Sequence, residues 1–191
     1  VLAAQGLLPH GAVGQSRFDA LKRDICHFVR SYKHILHSEN IPPRDIDLEV
    51  AGFRLSGRLE GLGSRGLLHY RYATLKGKDH LKLWIMHLLL HATDGPDGGD
   101  RESLLLGKNG LWRYSAIDEA RCHLEKLISL YREGLCRPLH FFPETSWAYA
   151  VKILRNGELS EEAEESAWDA ARKAWEGDDF QRGEGVDHYN R

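Results

Sequence analysis

The stretch from Phe53 to Ala92 most constrains the fold of this chain, because its hydrophobic period switches from that of a strand to that of a helix. Residues 53–60 alternate apolar and polar side chains, which predicts a half-buried strand. The glycine-rich residues 61–66 predict a tight reversal, and residues 67–74 predict a second strand. From Asp79 to Ala92 apolar residues recur at helical spacing, with the aspartate placed as the N-cap. A strand–turn–strand unit followed by an apolar helix is therefore predicted.

Hydrophobic periodicity predicts further helices and strands on both sides of this stretch. They are a helix over 16–36, a strand over 45–50, strands over 102–106 and 111–114 flanking a turn at Asn109-Gly110, and helices over 115–134, 145–154 and 160–175. The order of helix, three strands, helix and strand predicts an α/β core with added C-terminal helices, and residues 1–176 form one domain. Residues 177–191 are polar and glycine-rich, with little apolar surface besides Phe180 and Val186, so we expect a mobile tail in the isolated domain.

Basic side chains concentrate in the central stretch, although the formal charge of the 191-residue chain is −2. Between residues 53 and 92, seven basic residues face two acidic ones. The residues predicted to contact DNA are Arg54, Arg58, Arg71, Lys76, Lys78 and Lys82. They form either a surface that follows the phosphate backbone or a solvated face with ion pairs. Tyr70, Tyr72 and Trp84, which lie among them, either stack on bases or pack in the core.

Other site chemistries receive little support from the sequence. A glycine-rich phosphate loop ending in Lys-Ser/Thr is missing, which disfavours nucleotide hydrolysis. Three histidines, His80, His87 and His91, share roughly one face of the predicted helix. Because no glutamate lies between the pair four residues apart and no further ligand is signalled nearby, we interpret them as polar-face histidines rather than a metal site. Three acids alternate along residues 45–50 and either hold Mg²⁺ or face solvent on an edge strand. We predict no metal and no cofactor.

Composition and cysteine usage indicate a cytoplasmic protein without a membrane span. The mean hydropathy is −0.46, and no apolar run approaches the ~20 residues that a membrane helix needs. Cys26, Cys122 and Cys136 are odd in number and two lie in apolar helical patterns, so we expect reduced thiols in the core. The chain begins at Val1, and we expect a piece of a longer protein rather than a processed product.

The order of predicted elements resembles the core of the PD-(D/E)XK, or restriction-endonuclease-like, nuclease superfamily. Short sequence runs narrow this resemblance further. They are Leu7–Gly14, Leu55–Leu59, Lys78–Trp84, Leu104–Lys108, Leu130–Gly134, Pro138–Pro143, Ala174–Gly177 and Arg182–Glu184. Together they resemble the C-terminal domain of the gamma chain of bacterial exodeoxyribonuclease V, the RecC family. The resemblance covers nearly the whole chain, and it depends on the order and spacing of runs that are individually weak.

This resemblance implies a non-catalytic domain of the helicase–nuclease that processes double-strand breaks for recombination. It implies that the domain helps to split the duplex, guides the unwound strands through non-specific contacts to the DNA backbone, and docks against the RecB and RecD subunits. Two alternatives remain open at this stage. The domain is a protein-docking module that never contacts DNA, or it is an active metal-dependent nuclease.

Catalysis is predicted to be lost, because the second acid of a nuclease site is missing. An active member needs an acid at the end of one strand and an acid-x-lysine pair on the next, which together hold Mg²⁺ and position the attacking water. Glu60 occupies the first position. Residues two apart on the following strand share a face, and pairs such as His69 and Arg71 contain no carboxylate. Arg71 adds a positive charge that repels a cation, and we therefore predict no catalytic residue.

Overall fold

The strands and helices follow the predicted order in the computed structural model, which describes residues 9, 11–36, 41–94, 101–156, 160–178 and 182–186. The helices are α1 (Ala12–Ser31), α2 (Lys33–Leu36), α3 (Gly77–Asp94), α4 (Ala120–Cys136), α5 (Pro143–Asn156) and α6 (Glu161–Glu176), and Glu184–Val186 form one 3₁₀ turn. The strands are β1 (Arg44–Val50), β2 (Phe53–Leu59), β3 (Leu62–Gly63), β4 (Gly66–Tyr70), β5 (Ser103–Gly107) and β6 (Gly110–Tyr114). The α/β class predicted from the sequence is confirmed.

These strands form two sheets. β1 and β2 make an antiparallel hairpin, paired from Arg44 opposite Leu59 to Val50 opposite Phe53. The other four strands form a sheet in the order β3-β4-β5-β6, in which β4 and β5 run parallel and the other neighbours antiparallel. The hairpin predicted at Asn109-Gly110 is confirmed by β5 and β6. The strand predicted over 67–74 is too long, because β4 ends at Tyr70.

Helix α3 is packed on opposite sides by two hydrophobic clusters. Leu83 and Leu90 join a cluster that includes side chains of both sheets. Leu88 points the other way, into a cluster with Leu124 and Ile128 of α4. A helix that is apolar on several sides is buried, and Leu88 and Leu90 are fully inaccessible to solvent. Even so, no helix in the described ranges is long and apolar enough to cross a membrane.

The apolar stripe predicted over 16–36 is helical but largely uncovered. The helix is interrupted at Tyr32 between α1 and α2, and along α1 only Gly14 and Phe28 are buried. Phe28 packs edge-on against Tyr72, with ring centroids 5.5 Å apart. The expectation of core thiols is wrong, because Cys26 on α1 and Cys136 on α4 are exposed. All three cysteines are free thiols.

The C-terminal helices differ from the prediction mainly at their N-termini. α4 begins at Ala120, five residues later than predicted, and its N-cap Glu119 makes no side-chain capping bond. Ser160 caps α6 as predicted, accepting a hydrogen bond from the Ala163 N–H at 3.2 Å. α5 and α6 pack together through the alanine face of α6 and through Tyr149 and Trp168, whose rings are 5.2 Å apart.

Two glutamates cap neighbouring helices in series. The Glu144 carboxylate accepts hydrogen bonds from the Gly77 and Lys78 N–H groups of α3, at 2.8 and 3.3 Å. Glu184 in turn accepts from the N–H groups of Glu144 and Thr145 of α5, at 3.2 and 2.9 Å. A side chain at Gly77 would collide with the Pro143 carbonyl, so glycine allows the two helix starts to approach. Each carboxylate satisfies N–H groups that have no partner within their helix.

Part of the predicted tail contributes to this arrangement, since residues 182–186 pack near α6 and carry Glu184. Gly177 and Arg182 form an isolated β-bridge. Residues 179–181 and 187–191 of the segment lie outside the described residues. The domain boundary at residue 176 and the mobility of the tail remain predictions.

Replacing Glu144 with glutamine should weaken the cap on α3. We expect Glu144→Gln to lower the free energy of unfolding by ~1 kcal/mol, as is typical for the loss of a capping interaction. Urea unfolding measures the change. The exposed Glu125→Gln on α4 is the matched control and should stay within ~0.5 kcal/mol of the parent. Equal effects of the two substitutions would refute a specific capping role.

Candidate nucleic-acid interface

A cavity of about 380 Å³ opens where β2 ends beside α3. Its walls include Glu60, which directly follows β2, and His69 of β4. Two of the predicted DNA-binding residues, Arg58 and Lys82, also line it. The cavity thus brings together the acid predicted for the first position of a nuclease site, a residue of the following core strand and two predicted DNA-binding residues.

Burial favours the neutral form of the His69 imidazole in this cavity. Burial lowers the pKa of His69, and the charge of Lys82 lowers it further, while the carbonyl and carboxylate of Glu60 act in the opposite direction. Among the described residues that line the cavity, Glu60 supplies the one carboxylate. No group of three His, Cys, Asp or Glu side chains suited to a metal occurs among the residues that the structure describes.

Acids of β1 neutralise the arginines of β2 across the hairpin. Arg54 binds Asp47 through two hydrogen bonds of 2.7 and 2.6 Å, and Arg58 lies 3.4 Å from Asp45. The Arg54 hydrogen bond lowers the pKa of Asp47. The alternating acids of the predicted strand 45–50 therefore lie on a solvent face, and two of them pair with arginines there.

Arg71 is bound to the start of α3 rather than to the cavity. Its guanidinium donates to Asp79 at 2.7 Å, and the other oxygen of Asp79 accepts from the Lys76 N–H at 2.9 Å. Partial burial opposes ionisation, but these two hydrogen bonds keep the pKa of Asp79 below its ordinary value. Asp79 is not the N-cap that the sequence predicts. It lies in the first turn and bonds back to the N–H of the residue before the helix, as the acid of a capping box does.

The six predicted DNA-binding residues thus fall into two groups. The three arginines form ion pairs within the chain, whereas Lys76, Lys78 and Lys82 are exposed around the first turns of α3. Extending the basic stretch to β1, residues 44–92 contain eight basic and five acidic side chains, an excess of three rather than five. The count from Phe53 onwards left out the acids of β1, which pair with the arginines of β2 across the hairpin.

Long-range contacts that the sequence analysis missed hold the connection from β4 to α3. The Asn109 side chain accepts from the Leu75 N–H at 2.8 Å and donates to the Leu75 carbonyl at 3.3 Å. The Lys108 ammonium lies 4.9 Å from the centre of the Tyr72 ring. The sequence predicted only a turn at Asn109. No local pattern predicts that its side chain binds the backbone of a residue 34 positions away.

The aromatic residues of the basic stretch have different roles. Tyr72 packs against Phe28, and Trp84 is half-buried beside His87 and Tyr114. Tyr70 is 62% exposed at the end of β4. Of the three, Tyr70 presents the most accessible ring to a base.

The histidines of α3 do not form the predicted polar face. His80 and His87 are buried, so that interpretation is wrong for both. The His87 Nδ1 lies 2.8 Å from the Ser103 hydroxyl, and its Nε2 lies 2.9 Å from the Ser115 carbonyl. Because a carbonyl only accepts, Nε2 carries the proton and Nδ1 accepts from the serine. Burial lowers the pKa of His80 and of His87 to about 4.

These pKa values predict that the domain loses stability in mild acid. In the unfolded chain histidine titrates near pH ~6.5, whereas the folded domain keeps His87 neutral down to about pH 4. Between these values the unfolded state binds more protons, so the free energy of unfolding falls as the pH falls. Urea unfolding at pH 7 and pH 5 should show this drop, and a smaller drop for His87→Gln. The exposed His140→Gln should behave like the parent, and an equal drop in all three proteins would contradict the assignment.

The fold and this cavity define an α/β domain with exposed lysines beside a cavity that holds one carboxylate. The profile of the RecC C-terminal domain family matches residues 1–154, and the chain belongs to this family. The resemblance to the RecC family found in the sequence is confirmed.

Three curated relatives agree with this assignment. The chain is 31% identical to the RecBCD enzyme subunit RecC of Escherichia coli K12 over 193 residues, which is 96% of this chain and 16% of that protein. RecC subunits from two strains of Buchnera aphidicola, those of Acyrthosiphon pisum and Schizaphis graminum, are 27% and 25% identical over 152 and 191 residues. These matches cover 76% and 96% of this chain and 14% and 17% of the relatives. The chain therefore spans about one-sixth of the length of the relatives it matches.

Proposed function

We propose that this chain is a non-catalytic domain of a RecC-type subunit of exodeoxyribonuclease V, guiding DNA strands and scaffolding the helicase–nuclease. RecB- and RecD-type subunits are its protein partners, and the assembly serves double-strand break repair and recombination. Family membership supports the place in a RecC-type subunit. The non-catalytic and DNA-guiding roles are supported by the chemistry of the cavity beside Glu60.

The core is proposed to be that of a PD-(D/E)XK nuclease with a degenerate site. α1, β1, β2, β4, α3 and β5 occur along the chain in the order expected of that core, with the short elements α2 and β3 inserted. Glu60 directly follows β2, where the first acid is expected, and His69 of β4, whose pKa is lowered by burial, lines the same cavity. A neutral imidazole in place of a carboxylate leaves Glu60 as the one acid at the cavity among the described residues.

This arrangement disfavours metal-dependent cleavage. Mg²⁺ in nucleases is held by carboxylates together with substrate phosphates, and the metal activates the attacking water. Here the exposed Lys82 borders the same cavity, and its positive charge opposes a divalent cation. The same charge suits a DNA phosphate. A site of this composition binds the backbone without cutting it.

The lysines at the start of α3 are the proposed contacts to DNA. Lys78 and Lys82 are four residues apart and lie on one face of the helix, and Lys76 directly precedes the first turn. All three are exposed. A few phosphate contacts give weak, sequence-independent binding, with a dissociation constant of ~10⁻⁴ to 10⁻⁶ M that rises steeply with salt.

A protein-docking module without DNA contact is the second candidate. It is favoured by the ion pairs that three of the six predicted DNA-binding residues form within the chain, because these pairs already balance their charges. The three residues are Arg54, Arg58 and Arg71. DNA binding by the 191-residue chain decides between the two.

Removing the three lysine charges should weaken DNA binding at every sequence tested. We expect Lys76→Gln/Lys78→Gln/Lys82→Gln to reduce the slope of log affinity against log salt by ~2–3, since each lost phosphate contact contributes about one unit. Fluorescence anisotropy with labelled single- and double-stranded oligonucleotides measures this. The control is Arg54→Gln/Arg58→Gln, which should change the slope less because those guanidinium groups already bind aspartates. Parent-like binding by the lysine variant would favour the docking module.

A further inference from the structure

Helix α1 carries a line of apolar side chains that the rest of the described chain leaves uncovered. Leu21, Ile25 and Val29 follow each other at a spacing of four residues, which places them on one side of the helix. They are 44%, 37% and 42% exposed. Val13, about two turns before Leu21, is 60% exposed. Large apolar side chains in a contiguous row are unusual on a free surface and mark an interaction site.

The contacts of α1 with the body of the domain lie beside this line. Phe28 is the one large side chain of α1 that is buried, and it packs on Tyr72. Asp24, His27 and Ser31 border a shallow polar recess next to the β5–β6 turn. One side of α1 is thus attached to the body, and the side with Leu21, Ile25 and Val29 faces outward.

The charges along this helix are predominantly positive. Residues 12–36 contain five basic and two acidic side chains, and the basic ones are exposed. They are Arg17, Lys22, Arg23, Arg30 and Lys33. Of these, Arg17 and Lys22 lie beside the apolar row, whereas Arg23 and Arg30 lie on the far side of the helix. An apolar row with cations beside it is complementary to an apolar groove with an acidic rim, which is a common way for one protein to bind a helix of another.

We propose that α1 is the docking helix by which this domain binds an apolar, acid-rimmed groove on another protein subunit of the helicase–nuclease. The inference rests on the proposed scaffolding function and assigns it to a specific surface. Leu21, Ile25 and Val29 enter the groove, and the surrounding basic side chains pair with its rim. With 20 residues, α1 is ~30 Å long, enough to occupy such a groove over about five turns.

The test compares full-length RecC-type protein carrying this domain, in parent and variant forms, with its partner subunits from the same source. Ile25→Glu/Val29→Glu places two acids in the apolar row. The matched control is Leu130→Glu/Leu135→Glu on α4, where the side chains are 42% and 66% exposed. The dissociation constant for each partner subunit is measured by titration, and the mass of the assembly by mass photometry.

We expect the α1 variant to weaken binding of one partner subunit at least ~30-fold, the effect of losing an interface hot spot, and the α4 control to change it less than about threefold. Thermal unfolding of the unassembled variant should match the parent, because the replaced side chains are already exposed. If the variant fails to fold, Leu21→Ala/Ile25→Ala/Val29→Ala takes its place.

Two outcomes would overturn the proposal. Assembly is unchanged in the α1 variant, or the α4 control weakens it as strongly. Neither of these results bears on DNA binding by the lysines, so failure of the docking helix and failure of the DNA-guiding function are distinguishable.

Discussion

Burial of α3 on opposite sides holds the domain together, because the two sheets share no strand pairing in the described structure. Leu83 and Leu90 pack with residues of both sheets, and Leu88 packs with α4. Removing a fully buried leucine side chain from such a site typically costs ~2–5 kcal/mol. The same helix presents Lys78 and Lys82 to solvent. The packing that creates the core therefore also fixes the position of the exposed cations.

The N-terminus of α3 is held both by a local contact and by a long-range one. Asp79 lies in its first turn and ties Arg71 and the Lys76 N–H to the helix start. Glu144 reaches the same N-terminus from α5, which a glycine at position 77 allows. The segment between β4 and α3 is thus fixed on both sides, and its basic residues have defined positions on the surface.

Local patterns in the sequence predicted most elements but not their burial. The alternation in 53–60 and the helical spacing after Asp79 are local signals, and β2 and α3 formed as expected. The outward face of α1 and the buried positions of His80 and His87 depend on which elements pack on which side, and periodicity alone contains no such information. The pairing of Arg54 with Asp47 depends on hairpin register, so a charge count over one strand overestimated the positive excess.

The composition of the cavity beside Glu60 supports the proposal of a nuclease-like domain that binds DNA without cleaving it. Glu60 was predictable from its place at the end of a strand. The role of Lys82 was not, since it reaches the cavity from a helix three elements later. Burial and the charge of Lys82 lower the pKa of His69 there. One carboxylate among cations is a poor site for a divalent metal and a reasonable one for a phosphate.

Calorimetric titration of Mn²⁺ into the parent chain and into His69→Asp tests this degenerate site most directly. If Glu60 and position 69 face each other as the two acids of a nuclease do, the parent binds no Mn²⁺ and cleaves no DNA, while His69→Asp gains a metal site. Adding Glu60→Ala to that variant should remove the gained site. Binding of Mn²⁺ by the parent, together with DNA cleavage that Glu60→Ala abolishes, would contradict a non-catalytic domain.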